Sequence, residues 1–211
     1  MKRTRGRPRQ FDPEDVLEQA VGVFSAHGYS ATSLDQLARA TGLNRPSLYN
    51  TFGDKEALYL QALEHFVTRL REALADALVA EPDLPTALRK LFSGALGVYF
   101  AERPALGCFV FCTAPVEAVA HPAVRELTLG LVEELDALLG ARFGAAQDAG
   151  QLPAHLDPAQ TAKLAQATLH TLAIRARAGE SRASLERFIE HTVAVLAPVT
   201  KASRGRGRSR S

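Results

Sequence analysis

Between Ser33 and Lys55 the chain gathers side chains suited to holding a polyanion and reading a base edge: Ser33, Arg45, Pro46, Ser47, Tyr49, Asn50 and Lys55. A guanidinium such as Arg45 can donate two parallel hydrogen bonds to guanine O6 and N7, a carboxamide such as Asn50 can pair with adenine, and Pro46 offers an apolar contact to a thymine methyl. Contact with phosphate alone is an equally open role for Arg45, as a backbone contact is for Asn50. A phenol and an ammonium suit phosphate oxygens, which position a protein without carrying sequence information; this is the expected role of Tyr49 and of Lys55, whose charge adds to the positive end of a helix dipole. Ser33, followed by free backbone N–H groups, could hold another phosphate, although helix capping explains it equally well.

Cys108 and Cys112 are the only cysteines, too few for a disulfide scaffold. Four residues apart, they share a face if their segment is helical. Three chemistries stay open for them: packing as small apolar side chains, sensing of electrophiles or oxidants by a thiol of lowered pKa, or metal binding completed by His121, His170 or another distant ligand. His27, His65, His155 and His191 show no metal-ligand spacing, and no metal or other cofactor is expected. No glycine-rich phosphate loop follows a strand pattern, and no grouping of acid, histidine and nucleophile is recognisable, so no enzyme is expected.

The elements that must position these residues are helices. Helical periodicity runs through the chain and strand-like alternation is nearly absent, so the expected fold is all-α. A first helix should start at the Asp12 cap and Pro13, place Leu17, Ala20, Val21 and Phe24 on one face, and stop at Gly28. Ser33 and Gln36 form a capping-box pattern opening a two-turn helix that Gly42 ends. Asn44 then caps a short segment from Arg45 to Phe52, which Gly53 terminates. Helix, glycine-containing turn and helix is the pattern of a helix-turn-helix. Leu34, Leu37, Ala38, Leu48 and Phe52 are spaced to close its core, leaving Arg45, Ser47, Tyr49 and Asn50 outward.

A longer helix should run from Lys55 to about Val79, followed by helices at about 86–101, 106–113, 116–146 with a break near Pro122, 158–178 and 182–197. The last two are apolar on more than one side. Ala162, Ala165, Leu169, Leu172 and Ala176, with Leu185, Phe188, Ile189, Val193 and Leu196, form the expected dimerisation set, while Leu164, Ala167, Thr171 and Ile174 make a second stripe. Burial on all sides within a monomer is the other reading.

The chain has 211 residues, 46% of them hydrophobic, and a net charge of +2. That balance hides a sorting of charge. Lys2, Arg3, Arg5, Arg7 and Arg9 precede the first helix, and Lys201, Arg204, Arg206, Arg208 and Arg210 end the chain. Without those ten, fifteen basic residues face 23 acids, a body near −8. Such tails should be disordered, gaining affinity for DNA by releasing counterions or serving only solubility, and the first could enter a minor groove. No apolar run is long enough to cross a bilayer and no apolar segment follows the basic start, so a cytoplasmic location is expected.

These residues together resemble the TetR family of bacterial transcriptional regulators. The likeness rests on Gly6-Arg-Pro-Arg9, Phe24 with Gly28-Tyr29, Thr32-Ser33-Leu34, Ala38 through Thr41-Gly42-Leu43, Ser47-Leu48-Tyr49 with Phe52, and Asp54-Lys55-Glu56-Ala57-Leu58. Leu106-Gly-Cys-Phe-Val-Phe-Cys112 is similar to a Gly-Cys segment in one subset of these regulators. The resemblance implies a helix-turn-helix DNA-binding domain over 11–56, with the motif at 33–52, and a helical ligand-binding and dimerisation domain over 57–199, between basic segments at 1–10 and 200–211. It places Tyr49 and Lys55 at phosphates and favours repression.

One helix-turn-helix contacts too few base pairs to find a single genomic site, so a homodimer on near-palindromic double-stranded DNA is expected. Release would follow binding of a small apolar or thiol-reactive effector by Phe66, Leu70, Phe92, Tyr99, Phe100, Cys108, Phe111 and Cys112, with the helix from Lys55 as the lever. Taken singly, each of these side chains is more simply explained by core packing. A DNA-coating protein driven by its arginine tails is the alternative, and a small-molecule enzyme a remote one.

Overall fold

The computed structural model describes residues 11–198, so the expectations for the two basic tails lie outside the described residues. Within that span the regular elements are α1 (Pro13–Ala31), α2 (Leu34–Thr41), α3 (Arg45–Phe52), α4 (Lys55–Val79), α5 (Leu84–Tyr99), α6 (Phe109–Glu117), α7 (Pro122–Asp148), α8 (Pro158–Arg177) and α9 (Arg182–Leu196). The fold is all-α.

Local chemistry accounts for most starts. Asp12, Ser33, Asn44, Asp83, Asp157 and Ser181 each accept a backbone N–H from the first turn that follows, satisfying donors the helix itself leaves unpaired. Two boundaries depart from the sequence reading. Gly28 (φ 74°, ψ 173°) kinks α1 instead of ending it, and the chain resumes a helical turn to Ala31. The helix expected over 106–113 instead runs as α6 through Pro115 to Glu117, whose carbonyl accepts from Ala120 N (3.1 Å) and His121 N (3.0 Å), and the break expected near Pro122 falls there, where Pro122, lacking a donor, starts α7.

The described residues form two compact units, one of residues 11–72 with Cys108–Leu131, the other of Ala73–Gly107 with residues 132–198. In the first, α1 packs on α2 and α6 around an aromatic column. Tyr59 is fully buried, with edge-on contacts to Phe24 (4.9 Å between centroids) and Phe109 (5.8 Å). The Thr113 hydroxyl donates to Phe109 O at 2.6 Å, which leaves the Tyr59 hydroxyl, 3.2 Å from Thr113 Oγ1, to donate to it. Burial pushes the Tyr59 phenol up to about 12.

In the second unit α5, α8 and α9 pack against one another. Leu84, Leu88, Leu91, Phe92 and Leu96 of α5 are buried, with Ala162, Ala165, Leu169, Leu172 and Ala176 of α8 and Leu185, Ile189, Val193 and Leu196 of α9. The alanines let α8 approach its neighbours closely. Arg142 of α7 donates to Leu78 O (3.1 Å), Glu81 O (3.0 Å) and Pro82 O (2.9 Å), gathering carbonyls at and beyond the end of α4, where a cation also complements the helix dipole. Among the described residues no helix is long and apolar enough to cross a membrane.

Candidate nucleic-acid interface

The geometry of α2 and α3 follows from four local devices. Ser33 Oγ accepts from Gln36 N (3.2 Å) while Gln36 Oε1 accepts from Ser33 N (2.7 Å), a complete capping box. Gly42 ends α2 in the left-handed region (φ 66°). Asn44 Oδ1 then accepts from Ser47 N at 2.9 Å, and Pro46 lies in the first turn of α3, where a missing N–H costs nothing. Gly53 (φ 85°) closes α3 by donating to Tyr49 O at 3.0 Å; a Cβ there would sit 3.1 Å from Ala57 Cβ, too close as well as strained.

Packing then sorts the faces. Leu37, Leu48 and Phe52 are buried, whereas Arg45, Pro46, Tyr49 and Asn50 are exposed and Ser47 is half-buried. Tyr49 is 47% exposed, high for a large aromatic residue. A short rod with an apolar inner side and an outer side of hydrogen-bonding groups is what a major groove admits.

Three of the candidate groups have intramolecular partners. The Ser33 hydroxyl is engaged in its capping box. Lys55 Nζ donates to Tyr29 O and Thr32 O, both at 2.9 Å, and lies 4.3 Å from the Tyr29 ring centroid. It therefore ties the start of α4 to the end of α1, keeping one N–H for another acceptor. Arg45 makes a two-pronged pair with Asp35 of α2, Nε to Oδ1 at 2.7 Å and Nη2 to Oδ2 at 2.5 Å. The hydrogen bonds with Arg45 hold the Asp35 carboxyl below its ordinary range and raise Arg45.

The residues expected to bind an effector fall in both units. In the first, Phe66, Leu70, Phe111 and Cys112 are half-buried and Cys108 is fully buried; the Phe66 ring stands edge-on to Phe109 at 5.7 Å. In the second, Phe92 and Tyr99 are buried and Phe100 is half-buried, with the Tyr99 hydroxyl donating to Leu169 O at 3.4 Å. No disulfide joins the cysteines. Burial pushes the Cys108 thiol up to about 12, opposite to the shift an electrophile sensor needs. His121 Nδ1 is 3.1 Å from Glu56, and no cluster of three or more potential metal ligands forms among the described residues.

Of the ten residues expected at a dimer contact, all but the half-buried Phe188 are buried within the single chain. Those nine side chains are already covered within one chain, where α5, α8 and α9 pack against one another. The large apolar side chains left exposed on α8 and α9 are Leu164 (60%), Ile174 (59%) and Val195 (60%), two of them from the second stripe of α8. Which stripe of α8 is buried within one chain is set by the helices packed against it, which spacing along α8 cannot reveal.

Sequence reasoning passed over Asp35 and a latch inside the first unit. Glu117, the one acid of the otherwise apolar α6, is nearly buried and accepts from the Ser30 hydroxyl (3.0 and 3.1 Å to its two oxygens) and from Ser30 N (3.4 Å). A lone carboxylate in an apolar helix was the available signal, since such a group needs partners.

Two short capped helices, one buried side and one hydrogen-bonding side define a helix-turn-helix DNA-binding protein. Residues 16–62 match the family described as "Bacterial regulatory proteins, tetR family", and residues 85–192 match "Tetracyclin repressor-like, C-terminal domain". The chain belongs to the TetR family of DNA-binding transcriptional regulators, which are not enzymes. It is 30% identical over 195 residues to the HTH-type transcriptional repressor ComR of Escherichia coli (strain K12), covering 90% of each chain. It is 28% identical to a cysteine mutant of the TetR family regulator CifR solved with a 26-base-pair operator duplex, with a TM-score of 0.79 over 89% of this chain and 98% of that one. A TetR family regulator from Agrobacterium tumefaciens shares the fold at 18% identity, with a TM-score of 0.79 over 87% and 96% of the two chains.

Proposed function

We propose that this regulator is a repressor that binds a near-palindromic operator as a homodimer and leaves it when a small apolar or thiol-reactive effector binds. The observation that carries the reading is the exposed side of α3, where Arg45, Pro46, Tyr49 and Asn50 stand over a buried seam of Leu37, Leu48 and Phe52. Repression by ComR and the operator complex of CifR support the same direction.

Residues 11–56 form the DNA-reading domain and 57–199 the effector and pairing domain. Arg45 and Asn50 read base edges, Pro46 meets a thymine methyl, and Ser33, Ser47, Tyr49 and Lys55 fix the protein on phosphates. Two copies pair through the outer faces of α8 and α9, centred on Leu164, Ile174 and Val195. Within the first unit, Phe66 and Leu70 of α4 with Phe111 and Cys112 of α6 offer the effector an apolar surface. A ligand that favours one setting of α6 acts on α1 through Glu117 and Ser30, because only differential affinity for two states can move an equilibrium. Such a protein works in the cytoplasm, beside the DNA it controls.

The test is selection of duplexes from a randomised pool by the full chain, followed by footprinting at physiological salt. A discrete protected site with two inverted half-sites is expected. Diffuse protection, or no preference for any duplex, overturns the reading and favours non-specific coating. Arg45→Ala should change the preferred base at one position per half-site, and Lys55→Ala should weaken binding to all duplexes and flatten its salt dependence.

A further inference from the structure

A guanidinium offers two edges for paired hydrogen bonds in its plane: a side edge of Nε and Nη2, and an end edge of Nη1 and Nη2. In this chain Asp35 occupies the side edge of Arg45, with Nε to Oδ1 at 2.7 Å and Nη2 to Oδ2 at 2.5 Å. No other hydrogen bond to Arg45 forms among the described residues, so the end edge keeps its parallel donors. Both side chains are about half exposed, and they belong to the first turns of adjoining helices, α2 and α3. An exposed ion pair of this kind adds little to stability. It is better suited to orientation.

We infer that Asp35 is a specificity-determining positioning residue, which clamps the side edge of Arg45 so that the end edge is presented to guanine O6 and N7. The inference rests on the reading of Arg45 as a base reader. An unclamped arginine must give up the freedom of its long side chain when it binds, and it can turn to the nearest phosphate instead; the clamp removes both alternatives before DNA arrives. The carboxylate also brings a negative charge to a surface that meets phosphates, which weakens attachment to any duplex. Asp35 thus lowers affinity for random DNA and raises discrimination at one base pair.

The experiment compares the full-length chain with Asp35→Asn, Arg45→Ala and the double variant. Each is titrated against the duplex selected by the unaltered protein, against that duplex with the Arg45-dependent base pair exchanged, and against random duplex, over a range of salt. Asp35→Asn keeps the shape and removes the charge. It should bind random duplex more tightly with a steeper salt dependence, lose roughly tenfold in preference for the Arg45-dependent base pair, and melt within a few degrees of the parent. In the Arg45→Ala background it should leave base preference unchanged. If Arg45→Ala shifts base preference and Asp35→Asn does not, the clamp is refuted while Arg45 remains the reader. If Asp35→Asn changes preference equally in both backgrounds, Asp35 contacts a base itself and the clamp is again refuted. If Arg45→Ala leaves preference untouched, the base-reader assignment and the inference fall together.

Discussion

Lys55 illustrates how a single side chain in this protein answers to two demands. Its ammonium is expected at a phosphate, yet it already holds Tyr29 O and Thr32 O and so ties α4 to the end of α1. Lys55→Ala should therefore reduce stability by about 1–3 kcal/mol, the usual scale for hydrogen bonds made by a charged group, as well as weaken DNA binding. Denaturant titration without DNA separates the two effects. Cys108 gives a second expectation at this scale. Burial, the largest cause, raises its thiol from 9.0 to about 12, so the folded state favours the protonated form. The associated stability is fully present below about pH 9, declines as pH rises from there, and is lost as pH passes about 12. Maleimide at pH 7.5 should leave Cys108 unmodified in the native protein and label it after unfolding, as read by mass spectrometry of peptides; rapid native labelling would contradict its burial.

Among the helices, α2 and α3 are too short to stand alone, since helices below about 12 residues are marginal in water. Their stability comes from the buried seam, and Leu48→Ala should cost about 2–5 kcal/mol by removing a fully packed side chain, with loss of DNA binding wherever the variant is largely unfolded. The α6 helix is set differently, through Glu117 and Ser30. Glu117→Ala should leave the Ser30 N–H and hydroxyl without that acceptor, and faster amide hydrogen exchange is expected across Gly28–Ser33, measured by mass spectrometry at constant pH. Unchanged exchange there would show that the latch does not hold the end of α1, and the proposed route from α6 to the reading helix would fail.

For the whole molecule, the surface on which the proposed pairing turns is the outer face of α8 and α9. Leu164, Ile174 and Val195 are about three-fifths exposed in one chain, and apolar side chains grouped on neighbouring helices mark an interaction face. Leu164→Asp with Ile174→Asp should give a folded protomer by light scattering and circular dichroism, with operator affinity lowered by about a hundredfold or more because linked half-site binding is lost. A dimer that survives both charges would place the pairing face elsewhere. Substituting Leu169 or Leu172 instead should unfold the second unit, since both are buried within the chain.

Caps, turn glycines and stripe spacing act within a few residues of themselves, and for that reason they were legible directly. Ser33, Gly42, Asn44 and Gly53 mark α2 and α3, and the order of small matches from Gly6 to Leu58 points to the family without reference to the fold. The burial of Cys108, the contact of Glu117 with Ser30 and the burial of one stripe of α8 and not the other depend on residues far away in the chain, while the Asp35–Arg45 pair, ten residues apart, depends on how α2 and α3 turn against each other. Hydrogen bonding and desolvation are decided by what packs nearby, so these four features belong to the tertiary structure alone.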